Sequence, residues 1–120
     1  MNDCLFSHQC PDQDGFQIRF DFFPEWIPVR DCFDDSYHDV AEYEKQIESG
    51  ELDWFIVRCT ASLCDIDLGS ESLGGNLYKS FNEWLESEGT GYVADMQKTV
   101  IEEAQNKLQE MFKKNHKEID

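Results

Sequence analysis

Positive charge is scarce in this sequence. Its 120 residues include 10 lysines and arginines against 26 aspartates and glutamates, which gives a net charge of −16 at pH 7. Direct binding to DNA, RNA or an anionic membrane requires basic patches that pair with phosphate groups. The composition therefore argues against these three partners and favours a basic protein or nucleoprotein complex.

The negative charge is concentrated in the first four-fifths of the chain. Residues 1–95 hold 21 acids and 5 bases, whereas residues 96–120 hold 5 of each. A small domain needs a net charge of roughly 2–8 to stay soluble, so solubility alone does not require this excess. A surface that is acidic only for solubility nevertheless remains an alternative to a binding surface.

Long apolar runs are also missing. No stretch approaches the roughly 20 apolar residues of a membrane helix, and residues 1–10 lack the basic start and apolar run of a signal peptide. The five cysteines are an odd number, which fits reduced thiols better than a disulfide framework. We therefore expect a cytoplasmic protein.

Recognisable catalytic motifs are absent. The sequence has no G-x-S-x-G, no H-E-x-x-H, no P-loop and no dinucleotide-binding fingerprint, so we expect neither enzymatic activity nor a cofactor. Zinc prefers tetrahedral sets of cysteine and histidine, and Cys4, His8, Cys10 and Cys32 supply such groups. Their C-x3-H-x-C spacing is not that of a usual zinc knuckle. A small cysteine-based metal-binding or redox regulator is therefore the alternative function.

The hydrophobic pattern predicts a single α+β domain over residues 1–120, with an irregular segment at 1–15. Apolar residues alternate over 16–22 and 53–64, as in half-buried strands. Capping patterns predict helices at 39–49 and from residue 80, and a last helix at 92–114. Residues 25–37 are predicted as loop or as an irregular edge strand through Ile27 and Val29, and the glycines of 69–75 as a turn. We expect a three- or four-stranded, mainly antiparallel sheet with two or three helices packed on one face.

The last predicted helix carries an apolar stripe from Val93 to Met111. Such a stripe packs either on the protein's own sheet or against a second copy of the helix. Packing on the sheet is favoured, and a homodimer through helix 92–114 is the alternative.

Exposed acids are the candidate binding residues, because carboxylates presented on a rigid surface can pair with the arginines of a basic cleft. Nearby aromatic residues, such as Trp26, Tyr37 and Tyr43, are candidate anchors of a protein interface. The predicted partner-binding residues are Asp31, Asp34, Asp35, Asp39, Glu42, Glu48 and Glu51, followed by Asp65, Asp67 and Glu71.

Two segments of the second half are distinctive: residues 68–81, LGSESLGGNLYKSF, and residues 91–96, GYVADM. Together they resemble small acidic accessory proteins of bacteriophages, prophages and plasmids. The resemblance implies that the protein acts in a bacterial host cell and neutralises a host defence, such as a CRISPR or restriction system, with mimicry of DNA as one way to do so. It implies no catalytic residues and does not extend to the first half of the chain.

Overall fold

The computed structural model describes residues 4–87 and 92–119 and confirms the α+β fold. The strands are Phe6–Gln9 (β1), Gln17–Pro24 (β2), Asp53–Leu63 (β3) and Ile66–Tyr78 (β4). The helices are Val29–Cys32 (α1), Val40–Ser49 (α2), Phe81–Ser87 (α3) and Tyr92–Ile119 (α4). The strands form one antiparallel sheet in the order β1-β2-β3-β4.

One face of the sheet holds the hydrophobic core. Because side chains alternate along a strand, β2 and β3 present every second residue to this face, and seven of these residues are fully buried. They are Ile18, Phe20 and Phe22 from β2 and Phe55, Val57, Cys59 and Ala61 from β3. Helices α3 and α4 cover this face with Trp84 and Val100.

Trp84 is buried together with a polar partner. Its indole Nε1–H donates to Asn76 Oδ1 at 3.1 Å, and Asn76 Nδ2 donates to the carbonyl oxygens of Leu73 and Phe55 at 2.8 and 3.1 Å. A buried indole N–H needs such an acceptor. The amide of Asn76 therefore fixes α3 against β4 without an unsatisfied polar group.

The hairpin between β3 and β4 turns earlier than predicted. Cys64 and Asp65 both have positive φ, 52° and 65°, the geometry of a tight two-residue hairpin turn. The predicted turn at 69–75 is wrong, because β4 runs through these glycines. Gly69 lies under α4, where a side chain would collide with the Val100 carbonyl oxygen. This glycine therefore permits close packing of helix on sheet.

The N-terminus also differs from expectation. Residues 6–9, predicted to be irregular, form the edge strand β1, in which Phe6 pairs with Phe22. The Phe6 ring lies 5.7 Å from the rings of both Phe22 and Phe81. All four residues of β1 are exposed, so the strand lacks the alternating pattern that identifies β2 and β3.

Helices α1 and α2 lie apart from the main core. Residues 25–37 were predicted as loop, but four of them form α1. The ring centroids of Phe33 and Trp54 lie 5.9 Å apart. The Trp54 side chain points away from the core face that holds Phe55. Val29 and Val40 are buried outside the main core cluster. The expectation of two or three helices on one face of the sheet is therefore met by α3 and α4.

The capping predictions for α2 and α3 are confirmed. Asp39 Oδ1 accepts from the Glu42 backbone N–H at 3.2 Å, and Gly50 ends α2 with φ of 86°. Ser80 Oγ accepts from the Glu83 backbone N–H at 3.1 Å. These local hydrogen bonds satisfy groups that a helix end leaves unpaired.

The stripe on α4 packs first on the sheet and then extends past it. Met96, Val100 and Ala104 are buried, whereas Met111 and Phe112 are 45% and 72% exposed. The helix ends at Ile119, five residues beyond the prediction. No helix within residues 4–87 and 92–119 has the length and apolar character needed to cross a membrane.

Replacement of Gly69 by alanine is expected to destabilise the fold. The added methyl group would overlap the backbone of α4 at Val100, and overpacking of this kind costs roughly 1–3 kcal/mol. In urea denaturation followed by circular dichroism, Gly69→Ala should lower the transition midpoint, whereas Ser70→Ala at the neighbouring exposed position should not. Equal midpoints for the two variants would contradict this packing.

Candidate protein-interaction surface

Seven of the ten predicted acids lie together on α1, α2 and their flanking turns. We call residues 29–51 the acidic segment; it contains eight acids and two bases, a net charge of −6. The seven predicted members are all exposed and are Asp31, Asp34, Asp35, Asp39, Glu42, Glu48 and Glu51. The structure thus brings the first predicted group into one stretch of surface.

Local hydrogen bonds fix the acids in the turn between α1 and α2. Asp34 Oδ1 accepts from the Ser36 backbone N–H at 2.8 Å. This bond, followed by one from the Ser36 side chain, lowers the pKa of Asp34 below its ordinary value because it favours the ionised carboxylate. Asp39 is held by its capping bond to α2. Both carboxylates therefore have defined positions.

A bidentate ion pair joins the two helices of the acidic segment. Arg30 Nη2 and Nε donate to the two carboxylate oxygens of Glu44 at 2.6 and 3.1 Å. The hydrogen bonds to Arg30 lower the pKa of Glu44, and the same bonds raise the pKa of Arg30. One of the two bases of the segment is thus neutralised internally, which leaves Lys45 as the other.

The aromatic side chains of this region have two different roles. Phe33, His38 and Tyr43 pack on one another, with ring centroids 4.9 to 6.0 Å apart, and His38 Nδ1 shares a hydrogen bond of 3.2 Å with the Tyr43 hydroxyl. Tyr43 therefore belongs to internal packing. Tyr37 and Trp26, the other two predicted anchors, are 83% and 73% exposed.

Trp26 lies in a braced loop of residues 25–28, which we call the Trp26 loop. Glu25 Oε2 accepts from the Gly75 backbone N–H at 3.1 Å, and Glu25 Oε1 accepts from the Ile27 backbone N–H at 3.3 Å. The indole Nε1–H of Trp54 donates to the Ile27 carbonyl oxygen at 2.8 Å. Sequence reasoning missed the bonds of the Gly75 amide and the Trp54 indole, because their partners are 50 and 27 positions away along the chain.

The remaining three predicted acids lie elsewhere. β3, with 11 residues, is about 33 Å long at roughly 3.3 Å per residue and separates the acidic segment from the hairpin turn at Asp65. Asp67 Oδ2 lies 3.9 Å from Arg19 Nη2, and Glu71 is half-buried opposite Cys59. The ten predicted residues therefore do not form one surface.

Asp67 lies in β4, just after the hairpin turn. An irregularity in the pairing between Ala61 and Ser62 places Asp67 opposite Ser62, on the polar face of the sheet. The hairpin turn at Cys64 and Asp65, together with this irregularity, therefore places Asp67 on the same face as Ser62 and Thr60.

The polar face of the sheet uses its arginines internally. Asp21, only 5% exposed, accepts from Ser7 Oγ at 2.6 Å and from Arg19 Nε at 2.8 Å. Arg58 Nη2 lies 3.8 Å from the same carboxylate. Of the five bases in residues 1–95, three are arginines that face acids within the fold. They provide no open basic patch for nucleic acid.

The four residues weighed as zinc ligands are separated. Cys4 lies near Asp21 on the polar side, with Sγ 4.0 Å from Oδ1, whereas His8 pairs with Phe20 at the sheet edge. Cys10 is buried next to Ile18, and Cys32 lies in α1, beyond the other end of β2. Among residues 4–87 and 92–119, no three His, Cys, Asp or Glu side chains are grouped so as to hold a metal ion.

Comparison of the chain with protein-family models, curated proteins and solved structures finds no significant match. The resemblance to accessory proteins of mobile elements therefore stays a prediction. The functional assignment depends on the chemistry of the surface itself.

The thiols should differ sharply in reactivity. Burial raises the pKa of Cys59 to about 12 and also raises the pKa of Cys10, and the thiolate is the reactive form. In native protein treated with iodoacetamide at pH 8, mass spectrometry should find Cys32 and Cys64, which are exposed, alkylated well before Cys10 and Cys59. Denatured protein, as the control, should react at all four. Equal native rates at Cys59 and Cys64 would contradict the buried position of Cys59.

Proposed function

We propose that this protein is a non-enzymatic acidic binding protein that occupies the nucleic-acid-binding surface of a basic partner in the bacterial cytoplasm. The observation that carries the proposal is the acidic segment, where exposed carboxylates lie on two helices and their flanking turns with a net charge of −6. The partner class that fits best is a host defence complex of the CRISPR or restriction type, which the resemblance of residues 68–81 and 91–96 implies.

The chemistry of the acidic segment suits a surface that normally binds phosphates. Arginine and lysine pair with carboxylates through the same charge-assisted hydrogen bonds that they make with phosphate oxygens. The cap at Asp39 and the Arg30–Glu44 pair hold the segment in place, so less conformational freedom is lost when a partner binds. A partner occupied in this way is blocked from its nucleic acid.

Electrostatic binding of this kind predicts competition and salt dependence. Attraction between exposed charges is screened over about 8 Å at physiological ionic strength. The immobilised protein should retain a nucleic-acid-binding complex from nuclease-treated lysate of bacteria that carry CRISPR and restriction systems. Added DNA and rising salt should both displace that complex, which mass spectrometry would identify. Retention of no basic protein would instead indicate that the acids serve solubility.

Neutralising the acidic segment should abolish this retention. The variant Asp34→Asn, Asp35→Asn, Asp39→Asn and Glu42→Gln removes four charges while its amide oxygens still accept the hydrogen bonds to the Ser36 and Glu42 backbone. Its free energy of unfolding should stay near that of the parent, because asparagine is also a good N-cap.

The matched control removes four acids elsewhere, by Glu83→Gln, Glu86→Gln, Asp95→Asn and Glu110→Gln, and has the same net charge. This control should bind the partner with little loss, since its changes lie on α3 and α4. Equal losses in the two variants would show that net charge, and not the acidic segment, determines binding.

A further inference from the structure

The Trp26 loop exposes two large apolar side chains in sequence. Trp26 is 73% exposed and Ile27 is 54% exposed. Scattered apolar residues on a surface are ordinary, but two adjacent ones beside a strongly acidic segment need a reason. Tryptophan is the residue type most enriched among the few that dominate the energy of protein interfaces.

The loop is held by bonds that do not involve the exposed side chains. The Glu25 carboxylate joins the loop to Gly75 of β4, and the Trp54 indole joins the Ile27 carbonyl to β3. Trp26 and Ile27 therefore have a fixed backbone before any partner arrives. Such preorganisation lowers the entropic cost of binding.

Gly74 and Gly75 explain how Glu25 reaches β4. Gly75 has φ of +72°, and a methyl group at Gly74 would lie 2.9 Å from Glu25 Oε2. Since that oxygen is at the end of a flexible side chain, Gly74→Ala would displace the carboxylate and leave the sheet in place. The two glycines thus leave space for the Glu25 carboxylate, which holds the Trp26 loop in place.

The charge around the loop limits what can cover it. Glu25 and the acidic segment, which begins directly after the loop in sequence, would repel the phosphates of a nucleic acid or an anionic membrane. A second copy of this chain brings a further net charge of −16. A basic protein surface remains, and it must provide an apolar pocket for the indole.

We infer that the Trp26 loop is the hydrophobic anchor of the interface, and that the partner is a protein with an indole-sized apolar pocket surrounded by arginine or lysine. This inference rests on the proposed function and adds the anchor to it. The acidic segment supplies attraction and orientation, whereas Trp26 supplies the contact that slows dissociation.

A defined probe can reproduce both features of that pocket. Heptakis-amino-β-cyclodextrin has an apolar cavity surrounded by ammonium groups; neutral β-cyclodextrin has only the cavity, and oligolysine has only the charge. Isothermal titration calorimetry should show the amino-cyclodextrin binding the parent protein more tightly than either. Trp26→Ala should weaken that binding about tenfold, as expected for truncation of an interface hot spot, without changing the affinity for oligolysine.

Phe112→Ala is the matched control for Trp26→Ala. Phe112 is 72% exposed but lies on α4, where residues 96–120 have no net charge. Its loss should change amino-cyclodextrin binding far less than the loss of Trp26. Equal effects of the two substitutions would mean that the cavity merely takes any exposed aromatic ring, and would overturn the inference.

Gly74→Ala tests the positioning role of Glu25. The substitution keeps Trp26 but fills the space that the Glu25 carboxylate occupies. Binding of amino-cyclodextrin should therefore weaken, while the thermal midpoint stays near that of the parent. Hydrogen exchange at the Gly75 amide should accelerate, because its acceptor moves away. Unchanged binding in Gly74→Ala would show that the Glu25 carboxylate does not position Trp26.

The two proposals fail in different ways. One outcome is that oligolysine binding is lost in the variant with amides at positions 34, 35, 39 and 42, while Trp26→Ala does not change amino-cyclodextrin binding. This outcome would overturn the anchor and leave the acidic surface intact. No binding of oligolysine to the parent protein, and equal affinity for the charged and neutral cyclodextrins, would overturn both.

Discussion

Strand β3 determines how the rest of the molecule is arranged. It pairs with β2 on one side and β4 on the other, and its two faces contact different parts of the molecule. Phe55, Val57 and Cys59 form the centre of the core under α3 and α4. On the other face, the Trp54 indole donates to the Trp26 loop. Arg58, on the same face, approaches the buried carboxylate of Asp21. The length of β3 also separates the acidic segment from Asp65 at the hairpin turn.

Charge is the second constraint, because a net charge of −16 opposes a compact state. Ion pairs within the fold reduce this repulsion, because bases lie beside acids, as Arg19 does with Asp21 and Arg30 with Glu44. The long helix α4 has balanced charge from residue 96 onward and packs on the sheet. The acidic segment on α1 and α2 carries −6 of the net charge of −16 and lies apart from the main core. Exposed, fixed and negatively charged side chains are what a basic binding surface recognises.

Local physical signals made much of the fold predictable. The alternation of β2 and β3, the Asp39 cap and the left-handed Gly50 all depend on residues within a few positions of one another. The grouping of seven acids was predictable for the same reason, since they lie within 21 consecutive residues.

Features that depend on distant residues were not predictable. β1 is a strand because β2 pairs with it, although its own pattern lacks alternation. Gly69 and Gly74 resemble turn glycines in sequence, yet one makes room for α4 and the other for Glu25. The separation of Asp65 and Asp67 from the acidic segment follows from the extended course of β3. Each of these outcomes is decided by tertiary contacts.

The most direct test of the account is a map of where a basic ligand touches the protein. A ¹⁵N-labelled sample titrated with an oligoarginine peptide would report perturbed backbone amides residue by residue in NMR spectra. The account predicts that the largest shifts fall within residues 25–51 and decline with added salt. Shifts of equal size at Asp65, Asp67, Glu83 and Asp95 would contradict it, because the peptide would then sense only the overall negative charge.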